Sequence, residues 1–355
     1  MKKFAFFLPQ FHEIPENDKW WGKGFTEWTN VRKAQPLYKG QQQPKHPLNN
    51  NYYNLLQKEV VEWQTKLMNK YGIDGFIYYH YYFKGKLLLE KPAENLLKWK
   101  NIPQNFFFCW ANHNWNRSWE GKTDVLLKQT YGDKSDWEKH FQYLLPFFKD
   151  PRYEKRNNKP LLMIFDPHFK EKNQIFDYFN KRCQDEGFNG ICLIETYTGF
   201  EDINVFRSKE TDVTEFTFYR EPTVSELAYF RDSFLRRIIH HLKLIMRTKG
   251  YYHKPYVMNG NKMMDIKLHR EPMGKNVAHG LWFEWDNTPR HKERGYVITP
   301  YTHSRFIKYM NKIKNQEYLF INAWNEWAEG MIMEPTEENK YKYLEWIKNW
   351  NEQNN

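Results

Sequence analysis

Cysteine is scarce. The chain of 355 residues has only Cys109, Cys183 and Cys192. An odd, small set with two members in apolar runs excludes a disulfide framework and reads as free buried thiols in a reducing compartment. None is spaced with histidines as in a zinc site, so no metal and no cofactor are expected. Long hydrophobic runs are also missing. No stretch approaches the roughly 18 apolar residues of a membrane span, and mean hydropathy is −0.91. The opening MKKFAFFLPQ has the charge of a secretion signal, but its apolar run is too short and polar residues follow at once. A cytoplasmic location is the expectation. Glycine and proline number 17 each. No glycine-rich phosphate loop follows a strand-like run. Low-complexity linkers, internal repeats and domain boundaries are absent as well, which reads as a single domain over residues 1–355.

Aromatic residues, by contrast, are abundant. They make up 19% of the chain, with 15 Trp, 24 Tyr and 27 Phe. That exceeds what a core usually needs, and spare rings on loops form platforms for sugars. A compositional bias visible in the many Lys and Asn explains part of the Tyr and Phe, but less of the Trp. The net charge of +11 favours anionic partners such as phosphates or acidic lipid surfaces. Basic residues are scattered except around 230–254, and no nucleic-acid-binding motif is present, so nucleic acid is not an expected partner.

Short apolar runs bounded by Gly, Pro or Asn predict strands at 3–9, 75–83, 105–112, 160–166, 190–196, 212–218, 280–287 and 318–324. Helical patterns fall at 54–71, 93–100, 135–148, 171–187, 225–247, 303–315 and 339–350. Near-continuous apolar strands alternating with helices indicate a parallel sheet covered on both faces. Eight such units predict an α/β fold, a single (β/α)₈ TIM-type barrel with long βα loops at its C-terminal rim. A doubly wound sheet is the alternative. Polar residues gather at the ends of the runs: Gln10, His12, His80, Asn112, Asp166, Glu195, Glu215, Asp286, Asn287, Asn325 and Glu326. In a barrel these ends share one rim, where active sites sit. Residues 13–51 lack periodicity and are rich in Trp, and are expected to form an ordered loop walling the cleft.

The run YLFINAWNEWAEG, residues 318–330, ends in two carboxylates three residues apart with tryptophans interleaved. Acid/base work at a sugar needs paired carboxylates to move protons and flat rings to hold the pyranose. Glu326 and Glu329 are therefore the catalytic candidates. The bland alternative is a pair of helix-start acids favouring the dipole. Sugar contacts are expected from Trp20, Trp21 and Trp28, with Glu27 bonding to hydroxyls, although a tryptophan here can instead plug the barrel end. His12 and His80 read as orienting hydrogen-bond donors. Asn112, Trp115 and Arg117 follow the third strand, and Arg117 suits a carboxylate or phosphate. Trp285, Asp286 and Asn287 end the seventh.

Five blocks carry a family resemblance. They are FLPQFHEIPENDKWWGKGFTEWTNV at 7–31, GFIYYHYYF at 75–83, CWANHNWNRSWEG at 109–121, WDNTPR at 285–290, and NEWAEG at 325–330 with Glu334 and Pro335. In this order they resemble the WbsX-type glycosyltransferase family, which is related to glycoside hydrolase family 99. The resemblance implies a (β/α)₈ barrel. It also implies that Glu326 assists ionisation of a substrate 2-hydroxyl and that Glu329 is general acid and then general base. The related hydrolases retain configuration through a 1,2-anhydro sugar, which suits a mannose-like axial 2-hydroxyl. Asn325, Trp327 and Tyr82 join the expected binding set from these blocks. The chain departs from the family pattern at His113 (commonly Glu), Ser118 (Arg), Glu120 (Asp) and Tyr82 (Trp). Substrate identity is not carried over.

The expectation for function is a glycosidic bond made or transferred in cell-surface polysaccharide assembly, O-antigen or capsule. A retaining endo-glycosidase and a non-catalytic glycan-binding barrel are the alternatives. The expected partner is an oligosaccharide or lipid-linked glycan. One further feature stands apart. Phe230, Phe234, Ile238, Leu242 and Ile245 share a helical face, with Arg231, Arg236, Arg237, Lys243 and Arg247 beside them. Such a helix can lie on an anionic inner-membrane surface, or it is an outer barrel helix with its apolar face in the core.

Overall fold

Eight strands close into a ring in the computed structural model, which describes residues 1–116 and 125–354. They are β1 (Lys2–Phe7), β2 (Gly75–Phe83), β3 (Phe106–Trp110), β4 (Lys159–Ile164), β5 (Cys192–Tyr197), β6 (Thr214–Tyr219), β7 (Val277–Trp282) and β8 (Tyr318–Asn322). Each pairs in parallel with the next. β1 also pairs with β8, with Ala5 opposite both Phe76 and Ile321, and this closes the barrel. Helices between successive strands complete a (β/α)₈ barrel. Every predicted run overlaps one barrel strand.

Rings fill the interior. Phe4 meets Phe107 at 5.1 Å, Phe6 meets Phe218 at 5.6 Å, and Phe320 meets Phe107 at 5.6 Å and Phe218 at 5.3 Å. These strands are not neighbours, so the rings touch across the barrel. Much of the aromatic surplus therefore serves the core rather than binding loops.

The helices run as follows. α1 (Pro15–Trp21) and α2 (Glu27–Lys33) lie in the first loop. Then come α3 (Lys58–Lys70), α4 (Lys91–Lys98), α5 (Lys134–Lys149), α6 (Lys172–Asp185) and α7 (Ile203–Arg207). α8 (Thr223–Arg231), α9 (Phe234–Thr248), α10 (Gly260–Arg270), α11 (Thr288–His291), α12 (His303–Ile313) and α13 (Lys342–Asn354) follow.

Local chemistry explains where expectation and structure part. The loop at 13–51 is not irregular throughout. Pro15 opens α1, and a capping box between Thr26 and Thr29 opens α2. The helix expected at 225–247 is two, because the Ser233 hydroxyl accepts from the Arg236 N–H and starts α9 afresh. The seventh strand begins at Val277 and stops at Trp282, while Trp285–Asp286 belongs to a separate rim sheet with Tyr296–Ile298 and Tyr256–Met258. Glu215 lies near the start of β6, bonded to Arg156 and Lys159, away from the C-terminal rim.

Candidate active site

Glu326 and Glu329 sit on a small hairpin just past β8. Asn325–Glu326 pairs antiparallel with Met331–Ile332, and one 3₁₀ turn, Trp327–Glu329, joins them. The turn ends at Gly330, whose φ of 62° is left-handed. A Cβ there would lie 3.0 Å from the Asp286 backbone nitrogen, so a side chain would be both strained and crowded. The side chains around the pair hold it in place. The Asn325 amide accepts from the Leu8 N–H at 2.7 Å and donates to the Leu8 carbonyl at 3.1 Å, tying the hairpin to the end of β1. Trp324 and Trp327 donate their indole N–H groups to Glu334 at 2.9 and 2.7 Å. Gln64 and Tyr53 donate to the same carboxyl at 2.7 and 2.8 Å. Burial pushes Glu334 up to about 7, against these four donors.

Arg290, on α11, gathers three carboxylates. It reaches Glu329 and Glu27 at 2.5 Å each and Glu326 at 3.4 Å. One positive charge does not compensate three carboxylates, two of them buried. Burial pushes Glu326 up to about 8; Glu329 and Glu27 add to the rise, while Arg290 and Arg220 oppose it. Burial also raises Glu27, again against Arg290. Its surroundings thus favour the protonated form of Glu326 in the free protein.

The pair faces a cleft of about 210 Å³ at the C-terminal rim. Tyr79, Tyr81, Trp115 and Phe165 supply an aromatic lining; Gln10, His113, Asn114, Arg220 and Asn322 supply polar groups. Tyr81 and Trp115 meet edge-to-face at 4.9 Å. The Arg220 guanidinium lies 4.1 Å from the Phe165 ring centre. Desolvation by the cleft walls, with Arg220 adding, lowers His113, although its side chain remains exposed to solvent. The arrangement offers flat apolar faces for a sugar ring, donors and acceptors for hydroxyls, and two carboxyls joined through one guanidinium.

The expected site residues divide. Glu326, Glu329 and Trp115 line the cleft. Trp285 donates to Glu329 at 3.3 Å, and Trp20 packs 6.0 Å from Trp115. Trp21 lines a second cavity, about 570 Å³, with Phe25, Lys33 and Lys292; this cavity shares Arg290 with the cleft. Arg117, Ser118 and Glu120 lie outside the described residues.

The others are corrected. Glu27 is fully buried and bonds to Arg290, so it meets no sugar hydroxyl. Trp28 is the plug: its indole donates to the Tyr53 carbonyl at 2.8 Å and packs 5.2 Å from Trp327. His80 and Tyr82 point out of the barrel, where His80 meets His140 at 2.9 Å and Tyr82 stacks on His140 at 3.8 Å. Successive residues of a strand face opposite sides, so Tyr79 and Tyr81 take the inner places. Asn112 bridges to Asp166 through two backbone hydrogen bonds of 2.6 and 2.8 Å. Asp286 accepts from Gln41 and Thr288, and Asn287 from the Tyr296 N–H. Asn325 and Trp327 are consumed in holding the hairpin. His12 is buried, which lowers its imidazole to about 4, and it does not line the cleft.

Several cleft residues escaped sequence reasoning. Tyr79, Tyr81, Arg220, Asn322, Phe165 and Leu8 line the cleft, and Arg290 organises it. A signal existed for some. Continuing the inward alternation Phe4, Phe6 reaches Leu8; Phe216, Phe218 reaches Arg220; Phe320 reaches Asn322. Arg290 had none beyond its place in the WDNTPR block. Among the described residues, no group of three or more His, Cys, Asp or Glu is arranged to hold a metal ion.

The profile described as Glycosyltransferase WbsX matches residues 3–347. The chain belongs to the WbsX glycosyltransferase family. Among curated relatives, the uncharacterized protein WxcX of Xanthomonas campestris pv. campestris is 32% identical over 357 residues. That alignment takes in 96% of this chain and 48% of WxcX, so the chain spans about half the length of this relative. Among solved structures, the family 99 endo-α-mannosidase of Bacteroides thetaiotaomicron aligns with a TM-score of 0.55 at 12% identity, covering 99% of this chain and 96% of that one. A glycoside hydrolase-like protein aligns with a TM-score of 0.58 at 11% identity, covering 99% and 93%. At such identities these two likenesses concern the barrel fold.

Proposed function

We propose that this member of the WbsX family makes or transfers a glycosidic bond, with retention, at a mannose-like sugar during assembly of a cell-surface polysaccharide. The observation that carries the reading is the hairpin pair. Glu326 and Glu329 face one aromatic-lined cleft and share Arg290.

The roles follow the geometry that the sugar requires. An axial 2-hydroxyl lies anti to an axial leaving group at C1. Glu326, as carboxylate, takes the 2-hydroxyl proton while O2 forms a bond to C1. Glu329 gives a proton to the departing oxygen as its bond to C1 breaks. Glu329, now a base, then takes the proton of an acceptor hydroxyl that attacks C1. The C1–O2 bond breaks, and O2 recovers its proton from Glu326. Two inversions give net retention. The neighbouring cavity, with Trp21 and Phe25, suits further sugar units.

The reactive form carries one proton, on Glu329, so that proton passes from Glu326 to Glu329 before reaction, and kcat/KM falls as the pair loses it above about 8. The raised Glu326 favours a second reading, in which Glu326 supplies the acid proton; the pH profile is then the same, but a substrate without the 2-hydroxyl still reacts. Aryl α-mannosides with and without the 2-hydroxyl test the route. Glu326→Gln and Glu329→Gln should each lose at least about 100-fold in turnover, and the 2-deoxy substrate should fail. An inverted product, or full activity of either variant, overturns the proposal. Transfer to an oligosaccharide acceptor distinguishes synthesis from the hydrolytic alternative, which yields only free sugar.

A further inference from the structure

α9 presents its faces in reverse. Phe234, Leu235 and Leu242 are 71, 65 and 52% exposed, and Ile238, Ile239 and Ile245 are exposed beside them. None of the residues of this helix is buried. At 3.6 residues per turn these six side chains fall within an arc of about 140°. The opposite, cationic side lies on the protein. Arg236 stands 4.2 Å over the Tyr229 ring and pairs with Asp232 at 2.7 Å. Lys243 lies 4.9 Å over Tyr256, and Arg247 donates to the Lys254 carbonyl at 3.1 Å. A surface helix normally buries its apolar arc. This corrects the alternative that the stripe is a core face; only Phe230, on α8, packs inward, 4.2 Å from His240.

We infer that this face docks on an anionic phospholipid bilayer. A contiguous apolar arc marks an interaction surface, and the charge around it selects the occupant. Residues 234–254 contain Arg236, Arg237, Lys243, Arg247, Lys249 and Lys254 and no Asp or Glu. A second copy would bring like charges together, whereas anionic headgroups neutralise them. Arg237, exposed, borders the arc on one side, where its charge is free to meet phosphates. The helix spans about 22 Å and lies in the plane of the surface; among the described residues no helix is long and apolar enough to cross a membrane. The cleft is close by. His240 on α9 lies 6.1 Å from Tyr296, Tyr296 stacks on Trp285 at 6.3 Å, and Trp285 bonds to Glu329. A docked chain would thus meet glycans carried on lipid at its active-site wall. The lipid-linked substrate rests on the function proposed above; the docking does not.

Co-sedimentation of the full chain with vesicles tests the docking without any assay of activity. Vesicles of phosphatidylglycerol and phosphatidylcholine should bind about tenfold or more better than phosphatidylcholine alone, and high salt should abolish the difference. Leu235→Ser with Leu242→Ser should lower binding by about tenfold, and Arg237→Glu by about fivefold or more. All three side chains are exposed, so melting temperatures should hold. Failure to bind either vesicle, equal binding to both, or unchanged binding by the variants overturns the inference. So does a concentration-dependent dimer that the Leu235→Ser, Leu242→Ser variant abolishes, which would assign the face to a second copy.

Discussion

Replacing Glu326 by Gln should cost activity and return stability, and the return should grow with pH. Burial raises this carboxyl from its ordinary 4.5 to about 8 in the folded chain. Between those values the folded state holds a proton that the unfolded state has lost. Stability therefore falls as pH rises through this window, by about 1.4 kcal/mol for each pH unit the pKa is raised. From 4.5 to about 8, the penalty reaches on the order of 4 kcal/mol at pH 8. Glutamine is neutral throughout and keeps the side-chain volume, so it escapes this penalty. Urea denaturation of both proteins from pH 4.5 to 8 reads it directly. The two should be similar near pH 4.5 and diverge above it, with the variant the more stable at pH 8 while its turnover is lost. A stability difference that stays constant across the range would refute the claim that Glu326 is buried against its charge, and with it the assignment of the proton in the cleft.

Arg290→Met leaves Glu27 buried without its guanidinium and should cost about 3–5 kcal/mol at pH 8; Glu27→Gln in the same chain should restore much of it, and a single variant as stable as the parent would be contrary evidence. Trp28→Ala removes a packed indole and its hydrogen bond to Tyr53, at about 3–5 kcal/mol. The melting temperature should collapse by more than substrate affinity weakens, and the reverse would return Trp28 to the cleft wall. Exhaustive chelation should leave activity unchanged, because the proposed steps need only carboxyls. Loss restored by Mg²⁺ or Mn²⁺ would point to an ordinary nucleotide-sugar transferase.

The barrel was legible because its strands are buried on both faces, and such strands are written as near-continuous apolar runs. The catalytic candidates were legible because two glutamates within an aromatic run have few structural uses. Their surroundings were not. His80 was selected over Tyr79 and Tyr81 by residue type, yet the pleat turns it outward against His140. Asn112, Asp286, Asn287 and Asn325 have the donors and acceptors a sugar needs, but those groups are spent on backbone and neighbouring side chains. Trp28 and Trp327 have the rings, but the rings are in the core. A side chain's chemistry is local, whereas its availability depends on which partner the fold brings to it.

The sequence by itself determined the strand order, the presence of helices between strands and the carboxylate pair, since periodicity and motif spacing are properties of adjacent residues. Only the tertiary structure decided that Arg290 joins Glu326 and Glu329 to Glu27, which lies 263 residues before that arginine in the chain. It also decided that Glu334 fastens the hairpin through residues of the first loop, α3 and the hairpin itself. The same holds for α9. Its amphipathic pattern is plain in the sequence, but a pattern does not say which face is covered. That depends on where the barrel's own surface lies, and it lies under the cations, leaving the apolar arc outside.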